Sequence, residues 1–150
     1  MIIRPRTLLL PIGISASFTA APRAVSIVLP GAPRTKKNSA NILMAGKKKV
    51  VKPSPAWLAW RNDVRSWYLK QPVAFRRPFP LPVAEYNIAA LFYRDAKRGD
   101  STGYYQGVAD VLQELNIITD DVQLVQWDGS RLYIDKANPR VEITLTKVST

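Results

Sequence analysis

The chain has 150 residues and a net charge of +11, with 22 Lys and Arg against 11 Asp and Glu, and it holds neither cysteine nor histidine. That length is one domain, large enough to bury a core without staples. Without cysteine there is no disulfide framework, thiolate zinc site or thiol nucleophile, and without histidine no imidazole base or ligand, so any catalysis rests on carboxylates, lysines, tyrosines or a metal.

The charge is unevenly spread. Residues 1–75 hold 13 Lys and Arg against the single acid Asp63, whereas residues 76–150 hold 9 against 10. A basic half of this kind points to a polyanion, nucleic acid before an anionic membrane surface. No apolar run is long enough to span a bilayer.

Residues 1–24 carry early arginines, a short apolar run and small residues. This outlines a secretory signal, but the pair Ala20-Ala21 runs straight into Pro22, a poor cleavage end. The segment is read as a poorly ordered extension outside the fold, with a start codon placed too early, ahead of a domain over residues 25–150.

Val25 to Pro30 is a β-branched run ended by Pro-Gly, a first strand. The loop GAPRTKKNS follows, with Arg34, Lys36 and Lys37. Then NILMAGKKKVVKPS predicts two short strands about Gly46, with Lys47, Lys48 and Lys49 at or just past the turn. Two basic loops so close together suit phosphate contact. Ser54-Pro55 opens a helix, Ser as N-cap and Pro at the first position, and Trp57, Trp60, Val64 and Trp67 form its core stripe.

QPVAFRRPFPLP is expected to be an irregular proline-rich connector, and Glu85 to Tyr93 a mostly buried strand. The basic loop carrying Lys97, Arg98 and Asp100 leads into a second helix, capped by Ser101 or Thr102. Val108, Leu112 and Leu115 make its buried stripe, and Asn116 suits a left-handed C-terminal cap. Ile117-Ile118 turns the chain back towards the sheet and delivers Asp120-Asp121 to its edge. QLVQW and RLYI predict two strands about Asp128-Gly129-Ser130, and RVEITLT closes the chain with Val141, Ile143 and Leu145 on one face. The expected fold is α/β (α+β): a mixed β-sheet with two main helices packed on it.

Carboxylates at both ends of one helix in a basic chain suggest a Mg²⁺ site, with Mn²⁺ the other oxygen-loving choice. Asp100 meets Asp121 only if the returning connection folds back along the helix. Otherwise Asp100 is a helix-start residue and the acidic pair a solvated turn.

The order of these features resembles the RusA-like Holliday junction resolvases of phages and prophages. That family carries an acidic loop Asp-x-Asp-Asn, a helix with a lysine on its first turn, and an Asp-Asp pair. Here the loop is Asp100-Ser101-Thr102-Gly103, the helix carries Ala109, Asp110 and Leu112, and the pair is Asp120-Asp121. The resemblance implies a homodimeric, Mg²⁺-dependent endonuclease that cuts four-way junctions and other branched DNA in recombination or repair, in the cytoplasm of a bacterial or phage-infected cell. By position it implies metal-binding and catalytic roles for Asp100 and Asp121, with Asp120 beside them as a further candidate. DNA would lie along Arg34, Lys36, Lys37, Lys47, Lys48, Lys49, Lys97 and Arg98. Thr102 stands where the family has its second loop aspartate, and Gln106 where it has the helix lysine. These departures open the alternative of a branched-DNA binder of the same fold with impaired catalysis. A tyrosine nucleophile at Tyr104 or Tyr105 and a basic RNA-packaging protein are the remaining rivals.

Overall fold

A computed structural model describes residues 24–36, 41–45 and 48–149. Of the expected extension 1–24, residues 1–23 lie outside them, and Ala24 belongs instead to the first strand. The centre of the fold is a mixed five-stranded sheet. Strand β4 (Tyr86–Arg94) runs down its middle and pairs antiparallel with β7 (Arg140–Lys147), which in turn pairs antiparallel with β1 (Ala24–Pro30). On its other edge β4 pairs in parallel with β5 (Leu124–Gln126) and β6 (Arg131–Ile134). A separate hairpin of β2 (Asn41–Ala45) and β3 (Lys48–Lys52) follows β1.

Helix α1 (Pro55–Leu69) begins as the sequence predicts, with Pro55 at its start and the Ser54 side chain accepting from the Trp57 N–H at 3.2 Å. Its buried stripe is Trp57, Trp60, Val64 and Tyr68 rather than Trp67. Trp67 is half-buried and packs edge-on to Phe75, which belongs to the short helix α2 (Val73–Arg76). The connector is therefore not wholly irregular. Its aromatic side chains give it something to fold against, and Phe79 joins Tyr68 in the same group.

Strand β4 is not buried throughout, because its residues alternate between buried and half-buried. Ile88, Ala90 and Phe92 face the same core as Ile27 and Leu29 of β1 and Val141, Ile143 and Leu145 of β7. This alternation means that the helices cover one face of the sheet, as expected when half of each strand is apolar. Helix α3 (Ser101–Glu114) adds Tyr104, Val108, Val111 and Leu112 to that core. It ends at Asn116, whose φ of 59° is the left-handed cap predicted. Ile117 and Ile118 then bury completely. Strands β5 and β6 do not form a hairpin. The turn between them only interrupts a single edge of β4, so both run in the same direction beside it. Among the described residues no helix is long and apolar enough to cross a membrane.

Candidate functional site

Helix α3 is reached through Gly99, whose φ of 73° turns the chain at the end of the basic loop. Asp100 is itself the N-cap: its Oδ1 accepts from the Gly103 N–H at 2.8 Å, a role expected of Ser101 or Thr102. An aspartate placed there satisfies an orphan donor and sits at the positive end of the helix dipole. Asp100 is thus used structurally, whatever else it does.

The loop after β1 lies across the same helix. A Cβ on Gly103 would stand 3.0 Å from Thr35 Cγ2, and one on Gly107 would stand 2.9 Å from the Arg34 carbonyl oxygen. One turn on, Lys36 Nζ donates to Asp110 Oδ2 at 2.7 Å. Ser54 holds the loop from its other side, donating its N–H to the Lys36 carbonyl and its hydroxyl to the Thr35 carbonyl. The Trp57 indole N–H donates to the Gly107 carbonyl at 3.3 Å and ties α1 to α3. The small residues at 103 and 107 make this crossing possible.

The acidic pair stands on the return from α3. Asp120 caps a 3-10 turn (Asp121–Gln123), accepting from the Val122 N–H at 3.0 Å, and Gln123 completes a capping box. The Asp121 N–H donates to Gln113 Oε1 at 2.9 Å, which fixes the pair beside the second half of α3. Partial burial pushes the Asp121 carboxyl above its usual range. Hydrogen bonding to the Asp120 carboxyl and the negative charges of Asp120 and Asp110 act in the same direction, while Lys36 opposes them. Asp121 therefore feels Asp120, Asp110 and Lys36. Asp100 is not among these neighbours, and it stands ten residues, about 15 Å of helix, from Asp110.

Among the described residues, no three acidic side chains gather as a metal-ligand group. What does come together is a pocket of about 280 Å³ lined by Thr102, Tyr105, Gln106, Ala109, Asp121, Leu124 and Trp127. Thr102, Gln106 and Ala109 are one face of α3, and the returning chain closes the pocket opposite them.

Of the four expected DNA-binding cations whose side chains are described, three are already paired. Arg34 and Arg98 both bind Asp95, at 3.5 and 2.8 Å, and Lys36 binds Asp110. Lys97 is exposed and enters no ion pair among the described residues. Lys37 and Lys47 fall outside those residues, and of Lys48 and Lys49 only the backbone, in β3, is described. Tyr104 is buried and donates its hydroxyl to the Arg98 carbonyl at 2.6 Å, so it cannot serve as a nucleophile. Tyr105 is stacked between Phe92 and Trp127. Trp127 was legible in sequence only as the end of a strand; its place at the pocket comes from the return of the chain. No protein-family model matches the chain, and a search of curated proteins finds no match either.

Proposed function

We propose that this chain is a RusA-like endonuclease that cuts branched DNA with Mg²⁺, or Mn²⁺, as a homodimer in the cytoplasm of a bacterial or phage-infected cell. The observation that supports this is the composition of one pocket. Thr102, Gln106 and Asp121 all line it, and these are the positions that the resemblance ties to the acidic loop, the helix lysine and the acidic pair.

The donors suit an oxygen-loving ion in a minimal form: the adjacent Asp120 and Asp121 carboxylates, with the Thr102 hydroxyl on the same pocket. Mg²⁺ is commonly held by one or two carboxylates, with water and substrate phosphate filling the other positions. Such an ion lowers the pKa of a bound water and offsets charge on the attacked phosphate. The chain itself supplies orientation. Gln106, exposed on α3, can donate its amide N–H to a phosphate oxygen, and Lys97 adds an exposed cation on the approach to the helix. A homodimer follows from the substrate, since a four-way junction is resolved by paired cuts in symmetry-related strands.

A second reading is favoured by the capping role of Asp100 and because, among the described residues, no three acidic side chains form a metal-ligand group. In it, the protein binds junctions and does not cut them. A labelled four-way junction with Mg²⁺, run beside an EDTA control and Asp121→Asn, separates the two. Metal-dependent paired nicks that disappear in Asp121→Asn support the endonuclease. Tight, salt-sensitive binding without nicks supports the binder, and Thr102→Asp combined with Gln106→Lys should then create cleavage. Absence of both binding and nicking would sink both readings.

A further inference from the structure

Three aromatic rings form a column that leads out of the core to the rim of the pocket. Phe92 of β4 is fully buried, and Tyr105 of α3 stacks on it with ring centres 5.8 Å apart and planes 26° apart. Trp127 stacks on Tyr105 more closely, at 4.4 Å and 6°. Trp127 is half-buried, on the turn after β5, between exposed Gln126 and exposed Asp128. Among the described residues no further ring stacks on it. The column therefore ends in an indole at the surface, beside Thr102, Gln106 and Asp121.

We infer that Trp127 is a stacking platform for an unpaired DNA base, which extends the column by one ring and turns its polar edge towards Gln106 and Asp121. This rests on the nucleic-acid reading above and adds to it the part of the substrate that the pocket recognises. Several features favour a base over another flat ligand. A parallel stack is how aromatic side chains hold bases, and it tolerates any sequence because every base has a π-face. A neutral amide, a hydroxyl and a carboxylate at the pocket match the mix of donors and acceptors on a base edge. The basic balance of the chain, +11 overall, draws in the attached phosphates. A base inside a duplex is already stacked on both faces, so the platform is useful only where pairing is interrupted, as at a branch point.

The packing of Trp127 also explains why it is a tryptophan on an exposed turn. Its inner face is held by Tyr105, and Tyr105 is held by Phe92, so the platform is fixed before ligand arrives and little side-chain freedom is lost on binding.

The test compares two DNA duplexes of equal length, one fully paired and one with a single bulged base, at matched salt and with EDTA present to prevent cutting. Affinity is measured for the full-length protein and for Trp127→Phe and Trp127→Leu. Phenylalanine keeps a π-face, whereas leucine keeps apolar bulk without one, and circular dichroism checks that each variant folds. The expected result is a preference of the wild type for the bulged duplex, lost by roughly 5- to 100-fold in Trp127→Leu and largely kept in Trp127→Phe. Binding to the paired duplex should change less than about twofold, because phosphate contacts carry it. Equal loss on both duplexes, or no loss on either, overturns the platform and leaves the proposed function standing. If the wild type binds neither duplex, the platform and the nucleic-acid reading fall together.

Discussion

Asp121 is a carboxylate held where its charge is disfavoured. Its value in the folded chain lies above the ordinary 3.8, chiefly through burial and then through Asp120 and Asp110. The folded chain thus keeps this proton to higher pH than the unfolded chain does. Stability contributed by the protonated form is lost as pH rises from 3.8 through the raised value, and above it the ionised group is a standing penalty. Asp121→Asn should therefore melt slightly higher than wild type at pH 7, by under about 1 kcal/mol, and the gap should close as pH falls towards 4. A melt of Asp121→Asn below that of wild type at neutral pH would mean that the carboxylate stabilises the turn instead. The two neighbours of opposite sign allow a sharper check. Lys36→Met should raise the Asp121 pKa further and Asp110→Asn should lower it, read by carboxyl ¹³C NMR titration; shifts of the same sign would contradict the arrangement around Lys36. A charged residue made unfavourable by its surroundings is a common mark of a functional site, where stability yields to binding or catalysis.

At the scale of elements, α3 is shaped by what crosses it. Gly107 lies inside a regular helix, where alanine would ordinarily gain up to about 1 kcal/mol. Here a Cβ would stand 2.9 Å from the Arg34 carbonyl oxygen and 3.1 Å from Trp57 Nε1. Both neighbours are held, one by the loop anchored at Ser54 and the other by its own hydrogen bond to Gly107. Gly107→Ala should consequently destabilise the chain by roughly 1–3 kcal/mol, measured by urea unfolding. A more stable Gly107→Ala would show that the loop yields easily. This crossing also marks the limit of what the sequence revealed. Local signals succeeded where chemistry is local: the Ser54 cap, the left-handed Asn116, and the alternation in β7. Asp100 by spacing alone stands just before the cap, because the choice between neighbouring Asp and Ser depends on the approach of the chain. Helical spacing likewise favours Trp67 over Tyr68 as core, since the two are adjacent and the aromatic group around Phe75 decides which turns inward. Nor could spacing join Thr102 and Gln106 to Asp121, because their place on one pocket depends on the fold of the returning connection.

On the scale of the whole molecule, positive charge is plentiful but partly occupied. Asp95 binds two guanidinium groups, those of Arg34 and Arg98, and so occupies two of the cations that the proposed function would place on DNA. These pairs are partly exposed and individually weak, so a phosphate can compete for them. Each phosphate neutralised by a protein cation steepens the fall of affinity with salt by nearly one unit on a double-logarithmic plot. Lys97, unpaired among the described residues, should contribute one such unit, and Lys97→Ala should reduce the slope by about 1. Asp95→Asn should do the reverse. By releasing Arg34 and Arg98 it should tighten DNA binding at low salt and steepen the slope by up to about 2. Fluorescence anisotropy with one duplex across a range of salt concentrations measures both. An unchanged slope in Asp95→Asn would mean that Arg34 and Arg98 face away from the DNA, and that the ion pairs with Asp95 serve only to join the loop after β1 to the loop before α3. A steeper slope would place both arginines on the binding surface, next to the helix that carries Thr102 and Gln106. The site and the basic surface would then be one continuous face, with Asp95 limiting its hold on DNA.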